Sequence, residues 1–168
     1  MSHTSSETYS GSFARDLHWV SVFLRAAIGS LFLIAGLSKL PGGIAGTVGY
    51  YESLFAGSLL PSFLVTAHAS VIMFVELALG AWLLSGFRLN TAWKAAALVL
   101  SSLAVGMMFA GKYDVANDNY LYVVLALAGL VTSRFDRWVL GHSRSADEAA
   151  SERNAHALGA VRSELGAR

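Results

Sequence analysis

The chain of 168 residues has no cysteine, which excludes thiolate nucleophiles, disulfides, Cys-ligated zinc and iron–sulfur clusters at once. Charge is scarce as well: 14% of residues, against about a quarter in ordinary soluble domains. The formal net charge is +1 and no basic run occurs, so there is no electrostatic footprint for nucleic acid. Proline appears only at Pro41 and Pro61. What fills the chain instead is apolar, 55% hydrophobic residues with a mean hydropathy of +0.53. Residues 141–168 hold eight charged side chains, whereas the 124 residues from Leu17 to Leu140 hold twelve. The middle block is suited to a bilayer.

A hydrocarbon core about 30 Å thick needs roughly 20 apolar residues per helix, at 1.5 Å of rise each. Four stretches answer to this, near 17–40, 62–86, 92–111 and 119–138. The fold class expected is therefore an all-α membrane protein, a four-transmembrane-helix bundle. Arg15, Arg88, Lys94, Arg134, Arg137 and Arg144 flank one side of these spans and Lys39 and Lys112 the other, which predicts both termini in the cytoplasm. The 41–61 connection is bounded by the two prolines, and Ile44, Val48, Tyr51 and Phe55 recur in it at helical spacing. It reads as a helix lying in the outer interface, with a re-entrant or gating segment as the alternative. Residues 1–16 are expected to be disordered, 17–140 to form the transmembrane domain, and 141–168 to be an Ala-rich helical or disordered tail.

Ionisable residues inside a span cost roughly 2.5–3.5 kcal/mol at the helix centre, so each asks for a partner. Counted from the ends of their spans, Arg25 and Glu76 lie about 12 and 15 Å deep and face each other, either as a structural ion pair or as a polarised ligand site. Arg25, Gly29, Phe32, Gly36 and Lys39 follow steps of three and four along one helix face. The glycines there either let a neighbouring helix approach or leave a groove for an elongated ligand, with Lys39 at its outer mouth. His68 is the one histidine placed within a span. It cannot form a bis-histidine haem site, because His18 lies at the other face; it is either a satisfied histidine or a donor to a quinone carbonyl.

The run RAAIGSLFLIAGLSKL, then GTVGYY, VELALGAWLL and GKYDVANDNYLYVV, resembles the DoxX family of small four-helix membrane proteins over roughly residues 20–135. The resemblance rests on the spacing of Arg25, Gly29, Gly36 and Lys39 and on Glu76, Leu77 and Gly80. It implies a subunit of the bacterial inner membrane that sits with protein partners in a quinone-linked redox complex, similar to the small subunit of a thiosulfate:quinone oxidoreductase. On that basis Gly29, Gly36, Lys39 and His68 border a quinone or another lipophilic ligand, and Arg25 and Glu76 organise the bundle. No metal or haem is expected from this chain alone. A non-catalytic assembly subunit is the competing reading, and a proton-coupled transporter a third. Whether the chain has enzymatic activity of its own stays open at this level.

Overall fold

The computed structural model describes residues 4–138, and all of its regular elements are helices. They are α1 (Thr4–Lys39), a 3₁₀ turn (Leu40–Gly42), α2 (Gly43–Leu54), α3 (Ser62–Ser85), α4 (Leu89–Phe109), α5 (Tyr113–Thr132) and a second 3₁₀ turn (Ser133–Phe135). The first helix starts at Thr4, so residues 4–16 continue it instead of lacking structure. The expected tail, 141–168, lies outside the described residues.

Among the described residues, four helices are long and apolar enough to cross a membrane: Arg15–Leu54, Ser62–Ser85, Leu89–Phe109 and Tyr113–Phe135. The protein is an all-α, multi-pass membrane bundle. Its outer surface fits this, since Phe23, Ile34, Phe63, Leu98 and Val124 are all exposed. Apolar side chains facing outward in such number suit a lipid solvent.

Local chemistry sets the helix boundaries. Pro41 has no N–H to continue α1, and Gly43 takes φ +57°, which turns the backbone out of the helix before α2 begins. Pro61, in an extended conformation, precedes α3, and Gly86 at φ +75° ends it. A turn of only three residues, 86–88, then leads into α4.

The helices pack as two antiparallel hairpins. In the first, α1 lies against α3 at very short range: a methyl group on Gly80 would stand 2.6 Å from the Leu33 backbone nitrogen, and one on Gly36 would stand 2.7 Å from Leu77 Cγ. In the second, the indole of Trp93 on α4 lies over Gly129 on α5, where any side chain would collide with it. Ile28, Phe32, Leu79, Leu83, Trp93 and Leu100 form the core between the two hairpins.

The helix expected between the first two spans is present as α2, but it lies along α3 instead of flat in the interface. Thr66 Oγ1 donates to Glu52 Oε1 at 2.8 Å, and the Tyr51 and His68 rings sit 6.1 Å apart. These pairs continue the antiparallel order that begins with Gly29 against Leu84 and Gly36 against Leu77. The apolar stripe explains the placement: Val48, Tyr51 and Phe55 join Val65, Ala69, Ile72, Met107 and Ala116 in a second core, so that face meets protein and not the membrane surface.

Candidate functional site

The two in-span charges do not pair with each other. Arg25 Nη1 donates to Asp136 Oδ2 at 3.2 Å and to the Trp138 carbonyl at 2.9 Å. Asp136 is fully buried at its side chain and also accepts from Ser21 Oγ (3.3 Å) and from the Trp138 backbone N–H (2.9 Å). His18 closes the cluster. Its Nδ1 accepts the Arg137 N–H at 3.2 Å, which requires the lone pair on that nitrogen, so its 3.6 Å approach to Asp136 is a contact and not a hydrogen bond. The expectation of an Arg25–Glu76 pair fails on register. Arg25 stands against Gly86, at the end of α3, ten residues or about 15 Å along the helix from Glu76. Because α1 begins well before Leu17, depth counted from Leu17 sets Arg25 too far into the bundle.

Glu76 is paired with Lys39: Nζ donates to Oε2 at 2.7 Å and to the Ala35 carbonyl at 3.0 Å. Glu76 is the fifteenth of the 24 residues of α3, about 21 Å from its start and 14 Å from its end, which is near the middle of the membrane. Lys39 therefore stands at mid-depth beside the break between α1 and α2, and not at the outer mouth of a groove. The break shifts what the sequence suggests, because α2, 12 residues and about 18 Å long, carries the first span through roughly one further leaflet.

The glycine stripe is a helix contact. Gly29 is filled by Leu84 and Leu83, and Gly36 by Leu77, so no ligand groove runs between α1 and α3. Space opens instead on two sides of Tyr51. One cavity, of about 290 Å³, lies between α2, α3 and α4 and is lined by Tyr51, Phe55, Leu64, His68, Leu103 and Met107 among others. The second, of about 460 Å³, is an open cleft at the α1–α2 break, lined by Ser38, Lys39, Gly42, Gly46, Thr47, Tyr50 and Tyr51. His68 thus faces a cavity, as one of its two readings requires, while Lys39 borders the other space.

Residues 17–118 match the family of methylamine utilisation protein MauE, a stretch of more than half the chain. The chain belongs to the MauE family. This overturns the DoxX resemblance: the spacing of Arg25, Gly29, Gly36 and Lys39 reflects a close helix pair with charged ends, which is not peculiar to one family of small membrane bundles. No curated protein and no solved structure matches the chain. The part shared with the MauE family holds Arg25, Lys39, Tyr51, His68 and Glu76, whereas Asp136, the anchor of Arg25, lies beyond it.

Two residues central to this geometry escape a sequence reading. Asp136 is a lone carboxylate between Arg134 and Arg137, and that setting was its signal: a single acid among bases after a short span needs an internal partner. Tyr51 reads from the sequence as part of an amphipathic stripe, and its place between two cavities depends on α2 lying along α3.

Proposed function

We propose that the protein is an integral-membrane accessory subunit of a system of the methylamine-utilisation type, and that it holds a quinone for redox partners in that membrane. The observation that carries the ligand reading is the pairing of the His68 imidazole and the Tyr51 ring, 6.1 Å apart, in the wall of a mainly apolar cavity whose other polar side chain is Ser102. Apolar walls with one or two oriented polar groups suit a lipophilic molecule with a small polar head. An imidazole can donate to a quinone carbonyl and exchange its proton, and a phenol can donate beside it. The family name ties the system to methylamine utilisation. The chain has no cysteine for thiol redox chemistry, which fits electrons supplied by partners.

The test is quinone retention. The protein, extracted from its native membrane into lipid discs, should carry quinone, and His68→Phe should reduce the amount at least tenfold without loss of folded protein. A parent protein that carries none in the presence of its partners would sink the quinone reading. The remaining role is then assembly of the partner complex. Orientation follows the excess of Lys and Arg on the side of Arg15, Arg88 and Arg134, which favours cytoplasmic termini. Reporter fusions after Gly57 and after Gly86 should then report opposite sides, with Gly86 inside.

A further inference from the structure

We infer that the cleft at the α1–α2 break is a second ligand site, built for the carbonyl-bearing head of an uncharged lipophilic molecule that arrives sideways from the bilayer. The cleft shares Tyr51 with the His68 cavity, but the inference rests on Lys39 and on the space left at Gly42 and Gly46.

The cleft exists because two of its lining residues have no side chain. Gly42 and Gly46 have nothing within 4 Å of the position a Cβ would take, so the space beside Lys39 stays empty. Neither backbone conformation demands glycine, since neither residue has a positive φ. The same face is open to lipid, with Gly42, Gly46 and Tyr50 all exposed. Irregular backbone at membrane depth is tolerated where it lines a cavity, and the Leu40–Gly42 turn does so.

The lining chemistry is one-sided. Lys39 uses two of its three N–H donors, on Ala35 and Glu76, and keeps one. Tyr51 is only 5% exposed, and its hydroxyl has no partner among the described residues; the Tyr50 hydroxyl has none either. The hydroxyl hydrogens of Ser38 and Thr47 are committed to the Ala35 and Gly43 carbonyls. The hydroxyl oxygens can still accept, but the hydrogens left to give are one Lys39 N–H and the two tyrosine O–H groups, and these suit an acceptor.

Charge decides which acceptor. Lys39 is already matched by Glu76, so the site is neutral when empty, and a carboxylate or phosphate would bring a net negative charge to mid-membrane. A ketone, ester or quinone carbonyl accepts the same hydrogen bonds at no such cost. Two sources share that chemistry, a quinone and the ester of a membrane lipid, and the depth near Glu76 favours the quinone, because lipid esters lie at the interface.

The experiment uses the full chain in lipid discs with a photoreactive azidoquinone, and maps the label to peptides. Label is expected on the Ser38–Tyr51 peptide. A Cβ at Gly46 meets nothing within 4 Å, so Gly46→Leu enters the cleft without a backbone clash and should cut that label at least tenfold with an unchanged melting temperature. Gly49→Leu, on the same exposed face but outside the cleft, should leave the label intact. Equal labelling in discs of ester and of ether lipids identifies a quinone site, whereas stronger labelling in ether lipid shows that lipid esters compete for it. The inference is overturned if Gly46→Leu labels like the parent, if Gly49→Leu loses as much as Gly46→Leu, or if oleate displaces the label better than methyl oleate. Label confined to peptides of the α3–α4 cavity would also overturn it, while leaving the His68 reading in place.

Discussion

Among the described residues, the Arg25–Asp136 and Lys39–Glu76 ion pairs are built for different ends. At the α3–α4 turn, Asp136 gathers Arg25, Ser21 and the Trp138 N–H, and Arg25 spends a second donor on the Trp138 carbonyl. Gly86 admits this cluster, since a methyl group there would stand 2.8 Å from both Arg25 Nη1 and the Trp138 oxygen. The groups satisfy one another between α1 and the segment that follows α5, and the result is a clasp that fixes the end of α5 to α1. Near mid-membrane, Lys39 and Glu76 make one contact beside a helix break, an open cleft and two unengaged tyrosine hydroxyls. A closed network favours rigidity, while a pair with spare donors on lipid-accessible space favours a guest.

The largest effects should come from removing one member of either pair. Asp136→Ala strands Arg25 and also orphans the Trp138 N–H, and Glu76→Ala strands Lys39; each should cost about 3–5 kcal/mol in unfolding measured in detergent, Asp136→Ala the more. Double-mutant cycles should return coupling of about 1–3 kcal/mol for Arg25 with Asp136 and for Lys39 with Glu76. For Arg25 with Glu76 the losses should add. Coupling between those two would contradict the register of α1 on α3.

Removing both members sharpens the contrast. Lys39→Met with Glu76→Leu leaves no stranded charge beside the α1–α2 break and few orphaned groups, so stability should fall by less than about 1.5 kcal/mol while azidoquinone labelling of the cleft disappears. Arg25→Met with Asp136→Leu still leaves the Trp138 N–H and Ser21 unmatched, which should cost about 1–3 kcal/mol more than the first double variant. Equal losses in the two double variants would erase the distinction between clasp and site.

This contrast also marks where the sequence stops being informative. The spans were legible because lipid imposes long apolar runs, and Arg25 and Glu76 announced themselves as charges inside such runs. Their partners were not legible, because pairing depends on register, and register depends on where α1 begins and how the Leu40–Gly42 turn redirects the chain. The face shared by Gly29 and Gly36 could be read from spacing; whether it held a ligand or Leu77 and Leu84 could not, since periodicity names a face and not its neighbour. His68 was singled out for its chemistry and does border a cavity, but the wall opposite it is Tyr51 from α2.

The smallest effect expected tests how the clasp divides its work. Ser21 is completely buried, yet its Oγ lies 3.3 Å from Asp136 Oδ2, long for a hydroxyl donor. Asp136 keeps Arg25 and the Trp138 N–H when Ser21 is lost, so its carboxylate is not stranded. Ser21→Ala removes one weak donor and leaves a hydrocarbon surface among helices, which should cost about 0.5 kcal/mol. The comparison that matters is with Arg25→Ala in the same assay, because Arg25 bridges both Asp136 and the Trp138 carbonyl and its loss leaves a buried carboxylate without a cation. A serine loss close to the arginine loss would mean that the clasp is held by a distributed set of hydrogen bonds. In that case the ion pair near the α3–α4 turn is no more specialised than the one at Lys39.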